Sequence, residues 1–202
     1  KLNERAWAGQ IISWIKQSIN DSTTIFQDAT NDEGLKVASG RTKFPDVLLF
    51  TDKISGVVFN GWELKFPDTP ADDSEMLENA LEKAERLKSN SFVTWNGTEA
   101  IIWKINDDNY SLSSLEKLKV YPKEKDITKR NDLADRNNYN KHEAKLQKRL
   151  NEILHDIGQL YENGELKNAI NISSNIVEAV TQTAMHFVPQ LKNEINELKG
   201  DD

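Results

Sequence analysis

Three residues in two neighbouring segments are of types that can do chemistry together. Asp46 follows Pro45 at the head of the apolar run PDVLLFT, and Glu63 and Lys65 flank Leu64 in VVFNGWELKF. Both segments are short and strongly apolar, bounded by turn residues, and read as buried strands; the five-residue connection DKISG makes them an antiparallel pair. Alternate side chains of a strand share a face, so Glu63 and Lys65 point together while Leu64 points the other way. Pairing of the strands sets Asp46 beside Glu63. Two carboxylates at close range repel and each raises the other's pKa. A hard divalent cation relieves that repulsion. Magnesium takes one or two carboxylates, keeps several waters and draws the rest of its shell from a phosphate; manganese substitutes for it. An ammonium beside such a pair can orient an attacking water or stabilise charge on a phosphorane-like transition state.

The elements that must hold these residues are legible on either side. Residues Glu4–Asn20 place Trp7, Ile11, Trp14, Ile15 and Ile19 on one helical face, and Asp21-Ser22 ends the pattern. Short strand-like pieces follow at Thr24–Gln27 and Leu35–Ala38. After the turn-rich PDTPADD, Ser74 is the expected N-cap of a helix over Glu75–Ser89, with Leu77, Ala80, Leu81, Ala84 and Leu87 as its inner stripe. Asn96-Gly97 between SFVTW and TEAIIWKI signals a hairpin. Residues 106–138 are polar and read as a long surface connection. Two helices, 140–162 and 166–198, are expected beyond it. The order helix, strands, helix, hairpin, helical pair predicts an α/β fold, a central mixed sheet flanked by helices with a helical C-terminal extension. The expected division is a core over 1–120, a connecting segment over 121–138, and over 139–202 a helical extension or linker to a missing module.

The motif F-P-D-V-L-L-F … G-W-E-L-K-F-P resembles the PD-(D/E)xK nuclease superfamily, and the resemblance spans residues 4–105 including the order of elements. It implies a restriction-endonuclease-like core that hydrolyses DNA phosphodiester bonds with Mg2+. By that likeness Asp46 and Glu63 are metal ligands, the Leu64 carbonyl adds a third, and Lys65 is the catalytic lysine. Many members carry a further acidic ligand on the first helix, for which Glu4 is the candidate ahead of Gln10. RecB-like members place Gln and Tyr four residues apart on the helix after the lysine; here that face offers Asn79 and Lys83, a departure, as possible DNA contacts. Arg41 and Lys43, just before the first motif strand, are candidates for phosphate. The stretch NALEKAERLKSNSFVTWNGTEAIIW is similar to nuclease domains of restriction enzymes joined to a methyltransferase or translocase.

Composition limits these expectations. The net charge is −7, with 33 acidic residues against 26 basic, whereas affinity for DNA rests largely on cations neutralising phosphates. A nuclease of this charge needs a local basic surface or other domains or subunits that supply recognition, modification or translocation. No helix-turn-helix, zinc finger, Walker loop or methyltransferase glycine motif is present, and His142, His155 and His186 lack zinc spacing. There are no cysteines, which removes disulfides and thiolate sites and fits a cytoplasmic protein. No apolar run is long enough for a membrane helix. The chain begins with Lys, as expected of a processed chain or one cut from a longer polypeptide. A stand-alone repair or junction-resolving nuclease is the alternative enzyme, and a catalytically idle docking module the alternative of another class. Double-strand cleavage would require two copies to pair.

Overall fold

In the computed structural model the described residues are 3–22, 24–31, 45–107, 109–169 and 187–188. Helix α1 (Glu4–Asp21) starts where the Asn3 side chain accepts the Ala6 N–H at 2.8 Å, and it buries Trp7, Ile11, Trp14 and Ile15. Strand β1 (Asp28–Thr30) falls slightly after the expected Thr24–Gln27; the expected strand at Leu35–Ala38, like Arg41 and Lys43, lies outside the described residues. Strands β2 (Val47–Asp52) and β3 (Val57–Leu64) pair antiparallel, as the short turn requires. Helix α2 (Ser74–Leu87) crosses over to β4 (Ser91–Trp95), which therefore runs parallel to β3.

The N-cap of α2 is Asp73 rather than Ser74: its carboxylate accepts the Glu75 and Met76 N–H groups, both at 3.1 Å. An ionised cap opposes the helix dipole better than a hydroxyl. Strand β5 (Ala100–Ile105) pairs antiparallel with β4 through a loop of four residues, Asn96–Glu99, two longer than the Asn-Gly signal suggests. The Asn96 side chain folds back on the Thr98 and Glu99 N–H groups and widens the turn.

Residues 106–138 differ most from expectation. They contain a 3-10 turn (Leu112–Ser114), a sixth strand β6 (Leu115–Tyr121) and a short helix α3 (Arg130–Ala134). Strand β6 pairs with β5 at the sheet edge and buries only Tyr121, so its sequence reads as surface. Helix α4 (Arg136–Glu162) is capped by Asp135 and buries Leu146, Leu150, Ile153 and Ile157 in one core with Trp7 and Trp14 of α1. The helix expected to begin an extension is thus part of the main body: one compact unit spans Lys1–Ala169 and a second Ile170–Asp202. Of the expected helix over 166–198, residues 166–169 are not helical, the Ala169 N–H donating to the Val58 carbonyl at 2.9 Å, and Phe187 and Val188 are helical; the rest lies outside the described residues.

The protein is therefore α/β, and among the described residues a six-stranded mixed sheet in the order β1-β2-β3-β4-β5-β6 is flanked by helices. Two antiparallel meanders, β1–β3 and β4–β6, meet at the one parallel pair, β3 with β4. Alternation assigns the faces. Val47, Leu49, Trp62, Leu64, Val93 and Trp95 join the core under α1 and α4. Phe92, Ile101 and Trp103 pack under α2. Among the described residues no helix is long and apolar enough to cross a membrane.

Candidate active site

Strand β2 starts at Val47, opposite Trp62, while β3 runs two residues further to Leu64, and this creates the site. The Asp46 N–H donates to the Trp62 carbonyl at 3.0 Å, continuing the ladder by one bond. The next outward donor, the Leu64 N–H, has no β2 backbone to meet, and the Asp46 carboxylate takes it at 2.8 Å. Asp46 thereby closes the ladder with its side chain and is locked against β3. Pro45 fixes the approach from the other direction. It packs on Gly61 so closely that a Cβ there would sit 2.3 Å from the proline Cγ, so only glycine leaves room. In an extended strand the N–H and C=O of one residue point to the same side; the Leu64 carbonyl therefore faces the Asp46 side, free of the β4 ladder. The Lys65 N–H faces away and donates to the Trp95 carbonyl at 3.1 Å.

Leu64 is buried in the core under α1, and Glu63, one residue back, lies on the α2 face of the sheet at 5% exposure. There it meets Lys83 of α2, also buried, whose Nζ bonds its Oε2. The Lys65 ammonium reaches across to the start of α1, 3.3 Å from Glu4 Oε2. Glu4, Asp46, Glu63 and Lys65, taken from α1, the head of β2 and the end of β3, thus converge, and Glu4 rather than Gln10 is the α1 residue that meets the lysine. The helix α2 candidates part company. Asn79 donates to the Glu75 carbonyl one turn back at 2.9 Å. Lys83, expected as a DNA contact, is turned inward onto Glu63 and cannot meet a duplex from that position. Its signal was in the sequence: Lys83 falls on the Ala80–Ala84–Leu87 stripe, the buried side of the helix.

The charges report on this crowding. Burial pushes the Asp46 carboxyl up, while the Leu64 N–H and the ammonium groups of Lys83 and Lys65 partly hold it down. Burial also raises Glu63, with repulsion from Asp46 adding to it, and Lys83 opposes both; the outcome is about 7. Burial alone would lower the Lys65 ammonium, but its bond to Glu4 and the charges of Glu63 and Asp46 prevail and hold it above its ordinary value.

Among the described residues no three Asp, Glu, His or Cys side chains group as metal ligands. The donors at hand are two carboxylates, Asp46 and Glu63, with the Leu64 carbonyl beside them. That all-oxygen set suits magnesium, which accepts few protein ligands when water and phosphate complete its octahedron, and it does not suit zinc. Two buried carboxylates, with the charge of Asp46 adding to the rise of Glu63, are also a site where an added cation gains most. The chain matches no family model, no curated protein and no solved structure.

Proposed function

We propose that the chain is the cleavage domain of a metal-dependent endonuclease with a PD-(D/E)xK core, acting on DNA phosphodiester bonds. The observation that carries this is the bond from the Leu64 N–H to the Asp46 carboxylate. It brings the Pro-Asp and Glu-Leu-Lys segments to one point on adjacent strands, with an acid of the first helix on the lysine. Asp46, Glu63 and the Leu64 carbonyl would hold Mg2+, which when bound supplies positive charge to a phosphate oxygen and acidifies water. The chain's own residues do the rest. Lys65, kept charged by Glu4, lies where it can hold the attacking water and share the charge that gathers on the phosphate oxygens. Burial of Glu63 keeps bulk water from its carboxylate, and Asp46 is fixed before any ligand arrives.

The test is nicking of supercoiled plasmid in Mg2+ or Mn2+ by the full chain and by Lys65→Ala. Metal-dependent nicking that vanishes in the variant is expected; activity retained by Lys65→Ala removes the lysine from the mechanism. Within this class the cleavage module of a restriction-modification enzyme, partnered by recognition, modification or translocation domains, accounts best for the acidic net charge. A stand-alone repair or junction-resolving enzyme is the alternative.

A second reading has its own observation. Each acid but Asp46 is already paired, Glu63 with Lys83 and Glu4 with Lys65, as in a docking module whose site has been neutralised from within. Calorimetric titration with Mn2+ separates the two. A live site binds and Asp46→Asn loses binding; an idle module takes up no metal in either form.

A further inference from the structure

The charge of the chain is unevenly placed. Residues 115–149 hold 11 Lys and Arg against 6 Asp and Glu, whereas the other residues hold 15 against 27. Five of its six acids are engaged within the protein, Glu116 by the Asn106 side-chain amide at 3.3 Å. Asp132 accepts the Thr128 and Lys129 N–H groups at the head of α3, and Asp135 caps α4. Asp126 and Glu124 pair with Lys145 and Arg149. The cations of the same turns face outward: Lys125, Lys129, Arg136 and Lys141 are exposed, and among the described residues none of them pairs with an acid.

Packing brings this basic stretch to the catalytic end of the sheet. The Arg130 guanidinium lies 4.4 Å over the ring of Phe66, the residue after Lys65, with Asp68 at 3.7 Å. Leu133 fills the space above Gly97, whose φ of +84° and lack of a Cβ let the β4–β5 loop receive it. Tyr139 packs against Trp7, one turn along α1 from Glu4, with ring centroids 6.2 Å apart. Helix α3 and the first turns of α4 are thus pinned beside Phe66, the β4–β5 loop and the start of α1, where exposed Arg5 adds a further cation.

We infer that Lys129, Arg130 and Arg136, with Arg5, form a track for the phosphate backbone of duplex DNA leading past Lys65. The assignment of duplex DNA rests on the nuclease proposal; the location of the track rests on charge and packing. It supplies the local basic surface that an acidic chain needs, because phosphate contacts carry most sequence-independent affinity.

The experiment measures binding apart from cleavage. Full-length chain is titrated onto a short fluorescent duplex of arbitrary sequence in EDTA, and anisotropy is followed over a range of salt. Lys129→Glu/Arg136→Glu should weaken binding about tenfold or more and make the dependence of log K on log salt shallower by about 2, one for each lost contact. Lys53→Glu, at the turn remote from the site, should leave both unchanged. The neutral pair Lys129→Gln/Arg136→Gln should show a smaller loss of the same kind, and it guards against a folding defect, with melting checked for each variant. Wild-type affinity and slope in the reversed variant overturn the track, as does an equal loss in Lys53→Glu or a wild-type chain without salt-dependent binding. Tighter capture of anionic phospholipid vesicles than of duplex by the same residues also overturns it. A chain that binds through these residues but never nicks plasmid keeps the track and loses the nuclease.

Discussion

Glu63 carries its charge in a place that resists it, beneath a sheet and within the field of Asp46. Lys83 is what makes that tolerable, and the pair is buried on both sides. Removing one member of a buried pair costs far more than the pair is worth, because the survivor stays unsolvated. Lys83→Met should therefore destabilise the protein by about 3 kcal/mol, at the low end for such pairs since Glu63 can take up a proton. Adding Glu63→Gln should recover most of that loss; urea titrations of the two variants give the comparison. The pH dependence follows from the same group. With Glu63 raised to about 7, a metal must displace a proton from it below that pH. Affinity for Mn2+ should climb as pH rises towards about 7 and level off above it, as calorimetry across that range would register. A flat profile would mean that Glu63 is not a ligand.

At the level of elements, the junction of β2 with β3 depends on a glycine that has no turn to make. Gly61 is needed because Pro45 lies on it. A methyl at Gly61 has to push a rigid ring and the adjoining Asp46, not the tip of a flexible side chain. Gly61→Ala should thus reduce cleavage and Mn2+ affinity together while leaving α2 and the β4–β5 hairpin folded, the latter visible by amide exchange. At the C-terminus of α2, Lys88 adopts φ of 54°, the left-handed position that glycine fills at least cost. Lys88→Gly should stabilise the chain by about 1 kcal/mol in thermal melts without touching the site. The elements also explain what was legible. Apolar runs bounded by turn residues disclosed β2, β3, β4 and β5, because central strands bury both faces. Strand β6 buries Tyr121 alone and sets Leu115 and Leu118 three apart among charged residues, so it lacks the period-two alternation that marks a strand and reads as a polar loop. Asp46, Glu63 and Lys65 could be read from residue type and strand pairing. The partnership of Lys83 with Glu63 joins positions twenty residues apart across a helix and a sheet, and no local periodicity encodes it, although the placement of a lysine on a buried stripe hinted at a partner.

For the whole molecule, the proposed nuclease has one candidate site among the described residues, which predicts one strand cut at a time. Plasmid should pass through a nicked form, and the linear product should appear with a rate that rises more steeply than in proportion to enzyme concentration. Linear product formed at first order with no nicked intermediate would exclude pairing of two copies. The acidic charge and the basic stretch over 115–149 act at this scale too. On the proposed track, encounter with DNA would be opposed by the acidic remainder of the chain and favoured by the basic stretch, which would orient the duplex as it arrives.

All five tryptophans are inside: Trp7, Trp14, Trp62, Trp95 and Trp103 are each at most 5% exposed. Trp7 lies against Trp14 and Trp95 with ring centroids 6.3 and 5.4 Å apart, and Tyr139 of α4 stacks on Trp14. Helix α1, strand β4 and helix α4 therefore share one chromophore cluster directly behind Glu4. Its emission should sit at the blue end for indole, and its near-ultraviolet dichroism should carry coupled bands that vanish if α1 merely loosens. The fold thus contains its own optical gauge of whether the helix that brings Glu4 to Lys65 is seated, readable without a label.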